Sequence, residues 1–297
     1  MLGEERETGN GKRMTVQAGI TSALVKQALD GNTRAYELIR DTLGQKPVDT
    51  VNVNTPDVAV MKEGGKMEQE MFRVEDKRCH VWTAPEPRVL IIQPTGPHEE
   101  DSLPRQVEAI RAACSVSFLL AAFPVSDWNR ELSPWDAPPV FGKEPFGHDA
   151  GETLTWVLER LLPALTARYT LPEDFPAILG GYSLAGLFAL WSATRTGRFS
   201  GIMAASPSVW FPGWMEEVKA HPIQAGNVYL SLGDREEKSR SPQFARVGDC
   251  IREQAALLQA EGIRSTLVWN AGNHFQSPDL RTAAGFAWCI RETTARD

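Results

Sequence analysis

Ala177-Ile178-Leu179-Gly180-Gly181-Tyr182-Ser183-Leu184-Ala185-Gly186 is the stretch that decides the fold of this chain. Ala177 to Gly180 is a short apolar run of the kind that forms a buried strand. From Leu184 to Thr196 the chain reads as a helix. Between them the backbone must turn sharply, and Ser183 sits on the turn. The pattern is the G-x-S-x-G strand-turn-helix elbow, with Ala185 in the place of the second glycine. Such a turn strains the serine backbone and requires small neighbours two residues away, so that strand and helix can pass closely. Gly181, Ala185 and Gly186 meet that requirement. The turn exposes the Ser183 hydroxyl and leaves the Leu184 N–H at a helix N-terminus, where it can donate to a developing oxyanion.

The same rhythm extends in both directions. Val89–Gln93, Val116–Phe123, Gly201–Ala205, Val228–Leu232 and Arg264–Trp269 are further short apolar runs, suited to strands buried on both faces. Helical stretches lie between or after them, at Gln106–Cys114, Glu152–Arg168, Arg246–Glu261 and Leu280–Thr294. Strands that alternate with helices imply a mostly parallel sheet covered on both faces. The expected fold class is α/β, an α/β-hydrolase three-layer sandwich over residues 67–297. Chemistry then belongs just beyond the C-terminal ends of the strands.

A serine nucleophile needs a base within reach, and in this architecture the chain order is serine, acid, histidine. His274 lies in Asn270-Ala-Gly-Asn-His-Phe275, directly after the last run, and is the expected base; His221, beside Lys219, reads as surface. Asp234 follows the run Val228–Leu232 and is the expected acid, with Glu236, Glu237 or an acid-free Ser-His pair as alternatives. A second oxyanion donor is expected from Thr95, Gly96 or His98 after the first run, since Pro94 and Pro97 have no N–H. Substrate-contacting candidates are Tyr182, His98, Trp128 and Trp135 of a long Pro- and aromatic-rich loop, and Trp210 of Ser206-Pro-Ser-Val-Trp210.

The bulk properties fit. The 297 residues suffice for a sizeable core, and the net charge of −7, from 31 basic and 38 acidic residues, argues against a polyanion-binding surface. Cys79, Cys114, Cys250 and Cys289 are scattered without metal-ligand spacing, so buried reduced thiols and no metal are expected. The charged N-terminus and the lack of a long apolar run lead to the expectation of a cytoplasmic protein without a membrane span. Residues 1–66 read as an N-terminal extension: polar and disordered over 1–12, helical from Thr15 to Leu43 with a break at Asp30-Gly31-Asn32, then a linker.

On Gly-Gly-Tyr-Ser183-Leu-Ala-Gly-Leu-Phe, Ala-Ala-Ser-Pro-Ser-Val-Trp210, Leu-Gly-Asp234 and Gly-Asn-His274, residues 68–297 resemble an esterase family that includes feruloyl esterases, esterase D and enterochelin esterases. That resemblance implies Ser183 as nucleophile, His274 as base, no cofactor, and a small or medium ester as substrate. A thioesterase, an acyltransferase or a non-catalytic binding protein on the same fold are the rival readings. The sequence shows no cationic cluster near Ser183, which sets it apart from hydrolases of anionic catecholate siderophores. Residues 14–47 are similar to short helical segments of phage DNA-packaging proteins of the terminase-small-subunit type, although the charge balance of residues 1–60 gives no support for nucleic-acid binding.

Overall fold

In the computed structural model, residues 5–7, 13–15, 67–97, 99–140, 143–239 and 241–295 are described. The chain divides into two units, Met1–Asp57 and Val58–Asp297. In the first, Glu5–Glu7 pairs antiparallel with Arg13–Thr15. Apart from Met14 and Thr15, which lie in the second of these strands, the expected helices from Thr15 to Leu43, the segment similar to packaging proteins and the linker lie outside the described residues.

The second unit is built on an eight-stranded sheet. Its strands are β1 (Glu68–Val74), β2 (Lys77–Thr83), β3 (Val89–Thr95), β4 (Phe118–Pro124), β5 (Ala177–Tyr182), β6 (Gly201–Ala205), β7 (Asn227–Gly233) and β8 (Arg264–Asn270). The spatial order is β8-β7-β6-β5-β3-β4-β2-β1. From β4 across to β8 every neighbouring pair is parallel, while β1, β2 and the β2–β4 pair are antiparallel. This is the expected α/β sheet, enlarged by one hairpin. The hairpin escapes a search for apolar runs because it lies at the sheet edge and is mostly polar; only Val74, Cys79, Val81 and Trp82 are buried in it.

Every residue of β3, β5, β6 and β7 is buried, as a strand covered on both faces requires. β8 departs from the expectation. It forms the opposite edge and is partly exposed along its length, with Val268 and Trp269 open to solvent.

The principal helices are α1 (Leu103–Ala113), α2 (Ala150–Trp156), α3 (Leu162–Tyr169), α4 (Leu184–Arg195), α5 (Trp214–Ala220), α6 (Val247–Ala260) and α7 (Pro278–Thr294). A π-helical turn, Val157–Leu161, joins α2 to α3. The two faces of the sheet hold separate cores. One contains Leu90, Ile92, Phe123, Leu179, Phe188 and Leu230; the other contains Ile91, Ile110, Ile178, Met203, Phe286 and Ile290. Alternate residues of one strand thus point into different layers, which makes the unit a three-layer sandwich. Helix α4 is apolar all round and buried from Leu184 to Thr194, so the elbow stands on a helix with no solvent face. No helix among the described residues is long and apolar enough to cross a membrane.

Candidate active site

Ser183 follows β5 at φ 57°, ψ −119°, backbone angles that side chains other than glycine rarely adopt. Its surroundings hold the strain in place. The Ser183 N–H donates to Ala205 O at 3.0 Å, and its carbonyl accepts from Ser208 N at 3.1 Å and Leu187 N at 3.1 Å. A Cβ on Gly181 would collide with the Ala185 side chain, and one on Gly186 would lie 3.1 Å from the Gly181 carbonyl. The small residues therefore stand where strand and helix cross at close range.

His274 lies in the loop after β8. Its Nε2 is 3.0 Å from Ser183 Oγ, and its Nδ1 is 2.7 Å from Glu236 Oε2. The carboxylate beside the histidine is Glu236, whereas the sequence placed Asp234 first. The reason is local. Strand β7 ends at Gly233, and the chain turns out through Asp234 and Arg235 before a 3₁₀ turn, Glu236–Lys238, brings Glu236 back inward. Asp234 is exposed, and its Oδ1 accepts the Gly272 N–H at 2.8 Å, which ties the two loops together. Glu237 is engaged elsewhere, with Arg252 at 2.7 Å.

Glu236 is buried and richly supplied with donors. Its Oε1 accepts from Ser206 Oγ at 2.7 Å, from Gly233 N at 2.7 Å and from Arg281 Nη1 at 3.3 Å. Burial pushes its pKa up, but the hydrogen bond and charge of His274, with Ser206 and the Gly233 N–H, outweigh it and hold the carboxyl below its ordinary value. Ser206 and Arg281 carry no motif that singles them out in the sequence. The one signal for Ser206 was its place in Ser206-Pro-Ser-Val-Trp210.

Tyr182 is buried rather than lining a cleft. Its hydroxyl donates to the His274 carbonyl at 2.6 Å, its ring packs 5.1 Å from the imidazole, and burial pushes its pKa up to about 12. Ser208 Oγ lies 3.5 Å from Ser183 Oγ. Trp210 packs edge-on against Phe244, and Phe146 contacts both Trp210 and Phe211. Trp135 packs on Phe211 and donates its indole N–H to Pro212 O at 2.8 Å. The long loop after β4 is thereby fastened to the Ser206–Pro212 segment. Trp128 is partly buried against the main core. His98 lies outside the described residues.

For the oxyanion, Leu184 occupies the first position of α4, where its N–H has no carbonyl within the helix to bond. On the neighbouring strand, Ile92 pairs with Leu179, the last residue pair between β3 and β5, and Thr95 and Gly96 follow at the C-terminal end of β3. The Gly96 N–H is taken up by Glu99 Oε2 at 3.1 Å, and the Thr95 carbonyl by Val125 N at 3.0 Å. The four cysteines are buried and unpaired, and the described residues hold no metal-binding cluster.

The fold has known counterparts. Residues 105–276, more than half of the chain, match the family described as "Putative esterase". The chain belongs to that esterase family. Among solved structures, it is similar to the siderophore hydrolase EstA from Aspergillus nidulans, at 18% identity and TM-score 0.51, covering 80% of this chain and 98% of that one. The siderophore hydrolase EstB from the same organism gives 16% identity and TM-score 0.54, covering 79% and 96% of the two chains. The BES protein from Bacillus cereus gives 16% identity and TM-score 0.52, covering 80% and 99%. At these identities the likeness shows a shared α/β-hydrolase fold. No curated protein matches the chain. As a member of the family, this esterase is an ester hydrolase of that fold.

Proposed function

We propose that this esterase is a serine carboxylic-ester hydrolase acting on a small or medium ester through an acyl-enzyme. The observation that carries the proposal is the continuous chain from Ser183 Oγ through both ring nitrogens of His274 to Glu236 Oε2, laid over the C-terminal ends of β5, β8 and β7. Ser183 Oγ attacks the ester carbonyl while His274 Nε2 accepts its proton. The oxyanion is met by the Leu184 N–H and by a donor at the end of β3, either Thr95 or Gly96; the Gly96 N–H would exchange Glu99 for the oxyanion. His274 then protonates the leaving alkoxide, and the alcohol departs. A water molecule gives up a proton to His274 and attacks the acyl group, releasing the acid and restoring the Ser183 hydroxyl. Glu236 accepts the Nδ1–H, fixes the tautomer and stabilises the imidazolium. The aromatic group of Trp210, Phe146, Trp135 and Phe244, tied to Ser183 through Ser208, would form one wall for the acyl or alcohol portion. No step requires a cofactor.

The test is hydrolysis of a short-chain aryl ester, together with labelling by a fluorophosphonate. Ser183→Ala should lower turnover by about 10⁴-fold or more and abolish labelling. Undiminished turnover in the variant would remove Ser183 from the mechanism. A wild-type protein that neither labels nor turns over would favour a binding role for the fold.

A further inference from the structure

We infer that Arg281 is a positioning residue of this site, because one buried guanidinium holds both the Glu236 carboxylate and the loop that carries His274. The inference rests on reading Ser183, His274 and Glu236 as the catalytic set.

Arg281 lies near the start of α7, and its side chain is only 4% exposed. Placing a cation there costs solvation, and only paired contacts can offset that cost. Each terminal nitrogen is accordingly committed. Nη1 is within 3.3 Å of Glu236 Oε1, 3.2 Å of the Tyr182 hydroxyl and 3.5 Å of Ser206 Oγ. Nη2 donates to the Ala271 carbonyl at 2.9 Å. Tyr182 passes the constraint onward, since its own hydroxyl donates to the His274 carbonyl. The histidine loop is thus held at Ala271 directly and at His274 through the residue that precedes Ser183.

Glu236 Oε1 is saturated by Ser206, Gly233 N and Arg281, so Oε2 is left for His274 Nδ1. The titratable groups that face Arg281 are Glu236 from the loop after β7, Tyr182 at the end of β5 and Tyr229 on β7, with His274 beyond Glu236. Both tyrosines are held neutral by burial, with pKa values pushed up to about 12. Asp234 faces away, toward Gly272. A lysine would supply the charge, but its single nitrogen cannot span Ala271 O and Glu236 as the planar fork does.

The experiment compares wild type, Arg281→Met, Arg281→Lys and Ser183→Ala in aryl-ester hydrolysis, with rates divided by the sites titrated by a phosphonate. Arg281→Met should lower kcat about 100-fold per titrated site, with KM within about threefold. Arg281→Lys should recover only part of the lost kcat, again with little change in KM. A merely structural role would reduce the number of titratable sites and leave kcat per site unchanged; that result for Arg281→Met overturns the inference. If Arg281→Met does not fold, Arg281→Lys decides: a lowered kcat at unchanged KM supports the inference, and a wild-type kcat overturns it. Activity surviving in Ser183→Ala would instead defeat the underlying catalytic reading, whatever the arginine variants do.

Discussion

Two glutamates lie beyond the C-terminal ends of strands in this sheet, and their surroundings drive them in opposite directions. Glu236, after β7, receives hydrogen bonds from Ser206, Gly233 N, Arg281 and His274, and is held below the ordinary carboxyl value despite its burial. Glu99, after β3, is half-buried with one side-chain donor among the described residues, the Gly96 N–H, and burial pushes it up to about 7. Burial is common to both; the number of donors differs. A carboxylate stays ionised inside a protein when hydrogen bonds replace the water it has lost, and a single N–H does not suffice. The comparison separates a group built to be a permanent anion from one that titrates near neutrality.

The most severe way to break the comparison is to remove the charge of the richly bonded member. Glu236→Gln should lower kcat by about 10³-fold or more, since the amide cannot stabilise the imidazolium and can present the wrong partner to Nδ1. Asp234→Asn should stay within about threefold of wild type, because the amide oxygen can still accept the Gly272 N–H. Steady-state kinetics of the two variants side by side provide the check. A large loss in Asp234→Asn with little change in Glu236→Gln would reverse the assignment of the acid.

That pair of residues also marks where sequence reading stops. The elbow is legible because its requirements are local: Gly181, Ala185 and Gly186 are small for a steric reason that falls within six residues. The parallel strands β3 to β7 are legible because burial on both faces gives each of them a continuous apolar run. His274 stands directly after the last strand, so its position follows from the strand count. The acid is different. Asp234 and Glu236 both follow β7, and the choice between them rests on Ser206, some thirty residues earlier, and Arg281, some forty-five residues later. The polar hairpin β1–β2 and the exposure of β8 were hidden for a related reason. Edge strands need not be apolar, and an apolar run does not reveal whether it lies at an edge.

A milder test acts on the poorly bonded member. Because the folded pKa of Glu99 lies above its ordinary value of 4.5, its contribution to stability is fully present below about pH 4.5 and is lost as pH rises through about 7. Glu99→Gln cannot ionise yet can still accept the Gly96 N–H. It should therefore be more stable than wild type at pH 8 by about 2 kcal/mol, with the difference vanishing near pH 4.5. Urea denaturation at the two pH values measures it. Equal stability of the two proteins at pH 8 would mean that Glu99 is well solvated in its ionised form. The contrast with Glu236 would then collapse.

The smallest expected effect removes one donor from Glu236 while leaving its charge. Ser206→Ala takes away the hydroxyl that bonds Oε1 and leaves Gly233 N, Arg281 and His274 in place. The sign follows from linkage. Glu236 has a depressed folded pKa, so its contribution is present above the unfolded value and is lost as pH falls through the folded one. With one donor fewer the depression is smaller, so the variant should lose about 1.5 kcal/mol near pH 7, the scale of a hydrogen bond to a charged group. That deficit should shrink as both proteins protonate Glu236 in acid. Denaturation of wild type and variant at pH 7 and again in acid well below the depressed pKa of Glu236 separates this account from a simple packing loss at Ser206, for which the deficit would be the same at both. A pH-independent deficit would mean that the remaining donors already hold the carboxylate, and that the fourth serves the backbone turn at Ser206, whose φ of 42° is itself strained.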